Sequence, residues 1–220
     1  MRDFRSAELA LSVEASLVTP APTREELEEF FESLAGWDYA AVMVEPAYVT
    51  SSKPILSAMG QRLATVIAHP QGAMTTQAKV IQAEQALEDG ADELNVALDL
   101  SAFRSGDYQR VIDDLTAVRR LADAGAIKVI YYAPALTDQE SLRAAELIGE
   151  AGITFLITSS GFQGPTEGHQ VEVIRARYGA ALRLMAWGEI DSRPEALAML
   201  AAGADRVATS STRALLGTAP

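Results

Sequence analysis

A closed (β/α)8 barrel is the fold class this sequence predicts, and three observations predict it. Short apolar runs alternate with longer amphipathic segments along the chain, the pattern of a parallel sheet with helical crossovers. Eight strand–helix units can be read in the 220 residues, with no Pro/Gly/Ser-rich linker between them, so 1–220 is expected to be one domain. The strands are near-continuously apolar, as strands buried on both faces are. An open doubly wound sheet is the alternative that the same alternation allows.

The elements are expected in this order. Val13–Leu17 is the first strand. Pro22-Thr23 opens a helix whose Glu25, Glu26 and Glu28 sit where the helix dipole favours anions. Tyr39–Val44 is the second strand, stopped by Pro46, and Arg62–Ala68 the third, stopped by Pro70 and Gly72. Thr75 or Thr76 caps a helix reaching Glu88, and Asp89-Gly90 closes it. Glu93–Leu98, a helix from about Asp107 to Ala122, and Ile127–Tyr132 follow. Asp138–Ala151 is helical, Thr154–Thr158 is the sixth strand, and Glu167–Tyr178 is helical. The chain ends with the strand Leu182–Ala186, the helix Arg193–Ala202, the strand Arg206–Ala208 and a helical turn at Ser211–Leu216.

Composition narrows the function. The apolar fraction is 49% and the charged fraction 22%, which is globular. The formal net charge is −12, so neither a nucleic acid nor an anionic membrane is an expected partner. No cysteine is present, which excludes disulfides, thiolate nucleophiles and iron–sulfur clusters together. Met1-Arg2-Asp3-Phe4-Arg5 leads into polar sequence without a signal-peptide core, and no apolar run is long enough to span a bilayer. A cytoplasmic protein is the expectation. Fifteen arginines stand beside three lysines, Lys53, Lys79 and Lys128, so chemistry that needs a lysine amine has three candidates.

In a barrel of this kind the active site lies at the C-terminal strand ends. The strand-end residues are Glu14 and Ser16, Met43 and Glu45, His69, Asn95 and Asp99, Tyr132, Ile157 and Ser159, Met185 and Trp187, and Thr209 to Ser211.

Several of these lie in segments that resemble the deoxyribose-phosphate aldolase family. Ala64-Thr65-Val66-Ile67-Ala68-His69-Pro70-Gln71-Gly72 is similar to its third-strand motif, which usually ends Phe-Pro-x-Gly. Gly90-Ala91-Asp92-Glu93-Leu94-Asn95 resembles Gly-Ala-Asp-Glu-Ile-Asp. Ile157-Thr158-Ser159-Ser160-Gly161-Phe162 resembles Lys-Thr-Ser-Thr-Gly-Phe, and Ala204 to Ser211 the last strand and phosphate loop. The matches run in order along nearly the whole chain. They imply a class I aldolase-like barrel, in which a lysine forms a Schiff base with a carbonyl donor and a second lysine and an aspartate assist.

Carried over residue by residue, that apparatus is largely missing. The Schiff-base position is Ile157, the second lysine falls at Met185, the catalytic aspartate at Asn95, and the first-strand aspartate at Glu14. The resemblance thus points to a diverged member lacking the Schiff-base lysine. Lys128 starts the fifth strand, far below its end, and a structural role is expected for it. Lys79 is expected on a helix surface or ion-paired, while Lys53 follows the second strand on the loop side, with a route to the mouth. Ser210 and Ser211 before a short helix, with Gly161 and Gly188, keep half of the implied phosphate site. Glu189 stands where the family has a second glycine, and its carboxylate would repel phosphate.

What replaces the two lysines is apolar, Ile157 and Met185, with Trp187 two residues beyond; these three, with Met43, Ser159, Gly188, Ser210 and Ser211, are the substrate-binding candidates. Glu45 stands where the family usually has Asn, and His69 where it usually has Phe. Glu14, Glu45 and His69 end three consecutive strands and are expected to converge as acid–base groups, with Asn95 and Tyr132 orienting a carbonyl. Each has a plainer reading: a loop hydrogen bond for His69, a cap or arginine pair for Glu45, core filling for Met185 and Trp187. Two carboxylates and one histidine could also hold a divalent cation, but no spacing motif supports a metal, and no cofactor is expected. Two functions follow. One is non-covalent acid–base chemistry on a small carbonyl-containing metabolite: aldol-type addition or cleavage, cyclisation, isomerisation or dehydration. The other is an inactive homologue serving as a ligand-binding, regulatory or structural subunit. A homodimer is what the resemblance suggests.

Overall fold

A computed structural model describes residues 4–19, 21–162 and 164–218. The ends of the expected 1–220 domain, including Met1-Arg2-Asp3, lie outside those residues. Eight parallel strands close a barrel in sequence order, with β8 pairing back onto β1. The barrel therefore holds, and the open sheet does not.

Helix α1 (Ser6–Ala10) precedes β1 (Val13–Leu17). Helix α2 (Arg24–Ser33) starts at Thr23, whose hydroxyl accepts from the Glu26 amide while Glu26 reaches back to the Thr23 amide. β2 (Ala41–Val44) and α3 (Val49–Ala58) follow. Pro54 lies inside α3. A proline there hides a helix from pattern reading, since it removes one backbone bond. β3 (Leu63–Ile67) is shorter than the expected run because Ala68 turns into the left-handed region, with φ 55°. α4 (Thr76–Glu88) is capped by Thr75. After β4 (Glu93–Ala97), the short α5 (Leu100–Arg104) is capped by Asp99, and α6 (Tyr108–Arg119) by Asp107. β5 (Ile127–Ile130) stops before Tyr132, another left-handed residue. α7 (Asp138–Glu150), β6 (Phe155–Ile157), α8 (Gly168–Tyr178), β7 (Arg183–Trp187), α9 (Arg193–Ala202), β8 (Arg206–Thr209) and α10 (Thr212–Leu216) complete the barrel. Among the described residues no helix is long and apolar enough to cross a membrane.

Nearly every strand position is buried, β2 through β6 completely. One face of each strand packs on the helices and the other fills the barrel. What fills the barrel is where the chemistry divides.

Candidate active site

The N-terminal half of the barrel interior is ionic. Glu14, Glu93, Lys128 and Arg206 are the first or second residues of β1, β4, β5 and β8, so they share the end opposite the mouth. All four are buried. Lys128 Nζ donates to Glu14 and, at 2.7 Å, pairs with Glu93. Arg206 reaches Glu93 at 2.8 Å and Glu14 at 3.3 Å, and Arg62 joins Glu93 from the exposed rim at 3.0 Å. Burial alone would raise the Glu93 pKa, but the Lys128 and Arg206 charges outweigh it and hold the carboxyl at about 2.

This network takes Glu14 away from the expected mouth cluster. At about 3.3 Å per residue, Glu14 lies roughly 10 Å below the end of β1 at Leu17. Asn95 goes with it. Its Nδ2 donates to Glu14 at 2.7 Å and lies 2.8 Å from Met43 Sδ, while Oδ1 is buried without a partner. The structure thus brings Glu14, Asn95 and Met43 together in the barrel interior, with Asn95 bridging the ionic layer and the apolar Met43. The three lysines are all engaged. Lys79 is buried against Asp114 and the Ala97 carbonyl. Lys53 pairs at 2.8 Å with Asp92, which immediately precedes β4. That places Lys53 at the N-terminal end of the barrel, not near the mouth.

At the mouth itself, Glu45 and His69 do meet. His69 Nδ1 lies 3.9 Å from Glu45 Oε1. The His69 side chain is 5% exposed and that of Glu45 is 27% exposed. Burial pushes the two in opposite directions: the Glu45 carboxyl is raised and the His69 imidazole lowered, the Ser160 backbone opposing the latter in part. His69 stacks on Trp187, with ring centroids 5.6 Å apart and planes at 15°. Phe162 meets it edge-on at 5.1 Å. His69 Nε2 is buried with no hydrogen-bond partner.

The backbone that holds this cluster is strained. Among the described residues, three non-glycine residues have positive φ: Ala68, Tyr132 and Glu189. They follow β3, β5 and β7, all at the mouth. Each such conformation costs on the order of 1–3 kcal/mol. The Tyr132 hydroxyl is not free to orient a substrate carbonyl, because it donates to the Pro70 carbonyl. That bond ties the β5 loop to the residue after His69. Burial chiefly, and Asp99 in addition, push the Tyr132 hydroxyl up, so it stays protonated and donating.

The remaining candidates fall in two groups. Met43, Ile157 and Met185 are fully buried and Trp187 is 8% exposed, so they form the apolar wall and floor of the mouth. The Trp187 backbone is fixed by a threonine pair: Thr158 Oγ1 accepts from its amide at 3.1 Å, and Thr166 Oγ1 donates to its carbonyl at 2.6 Å. Ser159 is buried and accepts from the Gly161 amide. Gly188 adopts φ 119°, and a Cβ there would stand 3.2 Å from the Gly164 carbonyl and 3.3 Å from Ser159. Ser210 and Ser211 line a cavity of about 710 Å³ shared with Glu26, Glu29, Glu32 and Arg213. Ser211 Oγ donates to Asp191 at 2.9 Å. A carboxylate therefore already holds the hydroxyl that a phosphate would need. Among the described residues, no group of three His, Cys, Asp or Glu side chains could hold a metal ion.

Sequence reasoning did not single out Phe162 or Asp191. Phe162 ends the Ile157–Phe162 motif, and an aromatic residue beside a mouth histidine was the available signal. Asp191 carried no local signal, because its partner Ser211 is twenty residues away and reached only through the barrel.

The closed parallel barrel, with its strained, partly aromatic rim at the strand carboxyl ends, is an aldolase-type (β/α)8 barrel. Residues 5–170 match the DeoC/LacD family aldolase pattern, and the chain belongs to that family. It is 36% identical over 209 residues to a deoxyribose-phosphate aldolase of Thermococcus gammatolerans, covering 93% of each chain. It is 33% identical over 199 residues to one from Streptococcus equi subsp. zooepidemicus, covering 90% of each. Among solved structures, an aldolase called QR15 superposes with a TM-score of 0.90 at 32% identity, over 95% of this chain and 94% of the other.

Proposed function

We propose that this barrel acts on a small carbonyl compound by acid–base chemistry at the Glu45–His69 pair and forms no Schiff base. The relatives are deoxyribose-phosphate aldolases, and this chain departs from that chemistry in its side chains. The observation that carries the reading is the pairing of Glu45 and His69 at 3.9 Å on the strand ends, with their pKa values driven in opposite directions by burial. A carboxylate made more basic beside an imidazole kept neutral is an enolising pair. Glu45 takes the proton α to the carbonyl, the C–H electrons form the enol C=C bond, and the carbonyl oxygen takes a proton as His69 donates to it. Return of a proton from Glu45 to carbon, with the enol O–H proton passing back to His69, restores the carbonyl and closes the cycle. Lys128 has no part in this, since its amine is held by Glu14 and Glu93 in the ionic layer away from the mouth.

The test is exchange of the methyl protons of acetone in D2O, followed by proton NMR. Wild type should exchange them faster than buffer, and Glu45→Gln should lose on the order of 10²–10⁴ of that rate. Equal exchange in the two proteins sinks the reading. Borohydride with acetaldehyde or 2-deoxyribose 5-phosphate, read by intact mass, should leave the protein unmodified. The second reading, a non-catalytic ligand-binding or structural homologue, is supported by the burial of Ile157 and Met185, which the family resemblance aligns with lysines, and of Trp187 beside them. It predicts no exchange in wild type.

A further inference from the structure

The mouth carries a preference that acid–base chemistry alone does not require. Its wall is aromatic on two sides of one imidazole: Trp187 lies parallel to His69, and Phe162 meets it edge-on. Phe162 is 52% exposed, although the ring it touches is buried. It is flanked by Gly161 and Gly164, both in the left-handed region that lets a loop turn without a side-chain penalty. An aromatic ring held half in water over a buried stack covers a surface suited to another flat ring. Within that surface one polar atom, His69 Nε2, is buried and unpartnered. Such an atom costs free energy unless something arrives to bond it.

Charge narrows the ligand further. Lys53, Lys79 and Lys128 are all committed to carboxylates. On the β7–β8 side the carboxylate of Asp191 occupies Ser211, and Glu189 follows Gly188 in the same loop. An anionic group there meets the carboxylates of Asp191 and Glu189, with Arg213 lining the same cavity as Ser211. The unpartnered imidazole nitrogen asks for a hydrogen-bonding oxygen, and the rings around it ask for a planar apolar body.

We infer that the mouth binds an uncharged, planar aryl carbonyl compound, its ring against Trp187, His69 and Phe162 and its oxygen accepting from His69 Nε2. This rests on the reading of the mouth as the reactive site, and it adds the class of ligand. The carboxylates of Asp191 and Glu189 disfavour a phosphorylated sugar in the same place.

The chain has two histidines, and His169 on α8 pairs with Asp138 on the surface. Histidine-labelled protein therefore reports the site and an internal control in one NMR spectrum. The probes are acetophenone, cyclohexyl methyl ketone and 2-deoxyribose 5-phosphate. Acetophenone should move the His69 ring resonances in a saturable way and leave those of His169 in place. The saturated ketone, with the same methyl carbonyl, should bind at least tenfold more weakly, a difference of about 1.4 kcal/mol. The sugar phosphate should produce no saturable shift. Phe162→Leu, an exposed and conservative change, should cut the tenfold preference to threefold or less.

Absence of saturable acetophenone binding, equal binding of the two ketones, or tighter binding of the sugar phosphate overturns the inference. Both ketones carry exchangeable methyl protons, so D2O exchange separates this inference from the reading beneath it. If acetophenone binds preferentially but is not exchanged, the ligand class stands and the acid–base reading falls. If both ketones are exchanged and bound equally, the acid–base reading stands and the ligand class falls.

Discussion

Replacing Lys128 by methionine should cost the protein stability and leave the mouth intact. The substitution keeps an unbranched side chain one atom shorter and removes the charge. It leaves Glu14 and Glu93, both buried, with Arg206 as the one buried cation between them, at 3.3 and 2.8 Å. The depression of Glu93 from an ordinary 4.5 to about 2 corresponds to about 3 kcal/mol at 1.36 kcal/mol per pH unit, against burial that acts the other way. Breaking a buried ion pair costs about 3–5 kcal/mol by comparison with other proteins. A loss of about 3 kcal/mol lowers the melting temperature of a chain this size by roughly 6–12 °C. The sign with pH follows from linkage. A carboxylate with a depressed folded-state pKa contributes stability that is present above 4.5 and lost as pH falls towards 2. The deficit of Lys128→Met should therefore be full at pH 7 and shrink below pH 4.5. Urea denaturation across that range measures it, with the His69 ring resonances as a check on the mouth. A variant as stable as wild type at pH 7, or one whose deficit does not change with pH, would refute the assignment of Lys128 to the ionic floor.

Other outcomes follow from single contacts. Tyr132→Phe removes the donor to the Pro70 carbonyl and should destabilise by about 1–3 kcal/mol in thermal melts, with a shift of the His69 resonances that a remote core change would not cause. Gly72→Ala should be more damaging: its Cβ would stand 2.0 Å from the Leu98 carbonyl oxygen at φ 70°, so backbone must move and soluble yield should fall sharply. The His69 ring should titrate below 6.5, because burial disfavours its cation. The Glu45 carboxyl has a raised pKa, so its ionisation takes stability away as pH rises above 4.5. Glu45→Gln should gain on wild type between about pH 4.5 and 7, read by the denaturation midpoint.

The barrel was legible because its signals are local. Alternating apolar runs, the helix start at Thr23 with acidic residues such as Glu26 behind it, and stops such as Gly203 after α9 each act within a few residues. Helix α3 was hidden by Pro54, and α5 by its brevity. The strand ends moved by one or two residues where Ala68 and Tyr132 take left-handed backbone, a feature no local propensity predicts for alanine or tyrosine.

The candidate site was legible only in part, for a geometric reason. Residue order along a strand does not say how high a side chain stands in the barrel, because closing the barrel staggers the strands. Glu14 and Glu45 read alike as acidic residues near strand ends, yet Glu14 sits in the ionic floor and Glu45 at the rim. Chain order and apolar periodicity were enough for the eight-unit barrel, and the resemblance of short motifs was enough for the family. Which charges neutralise one another, which carboxylate meets His69 and which ring covers it were decided by closure of the sheet. Those pairings join residues from 14 to 206 across the chain, and only packing against a common interior brings such residues within a hydrogen bond of each other.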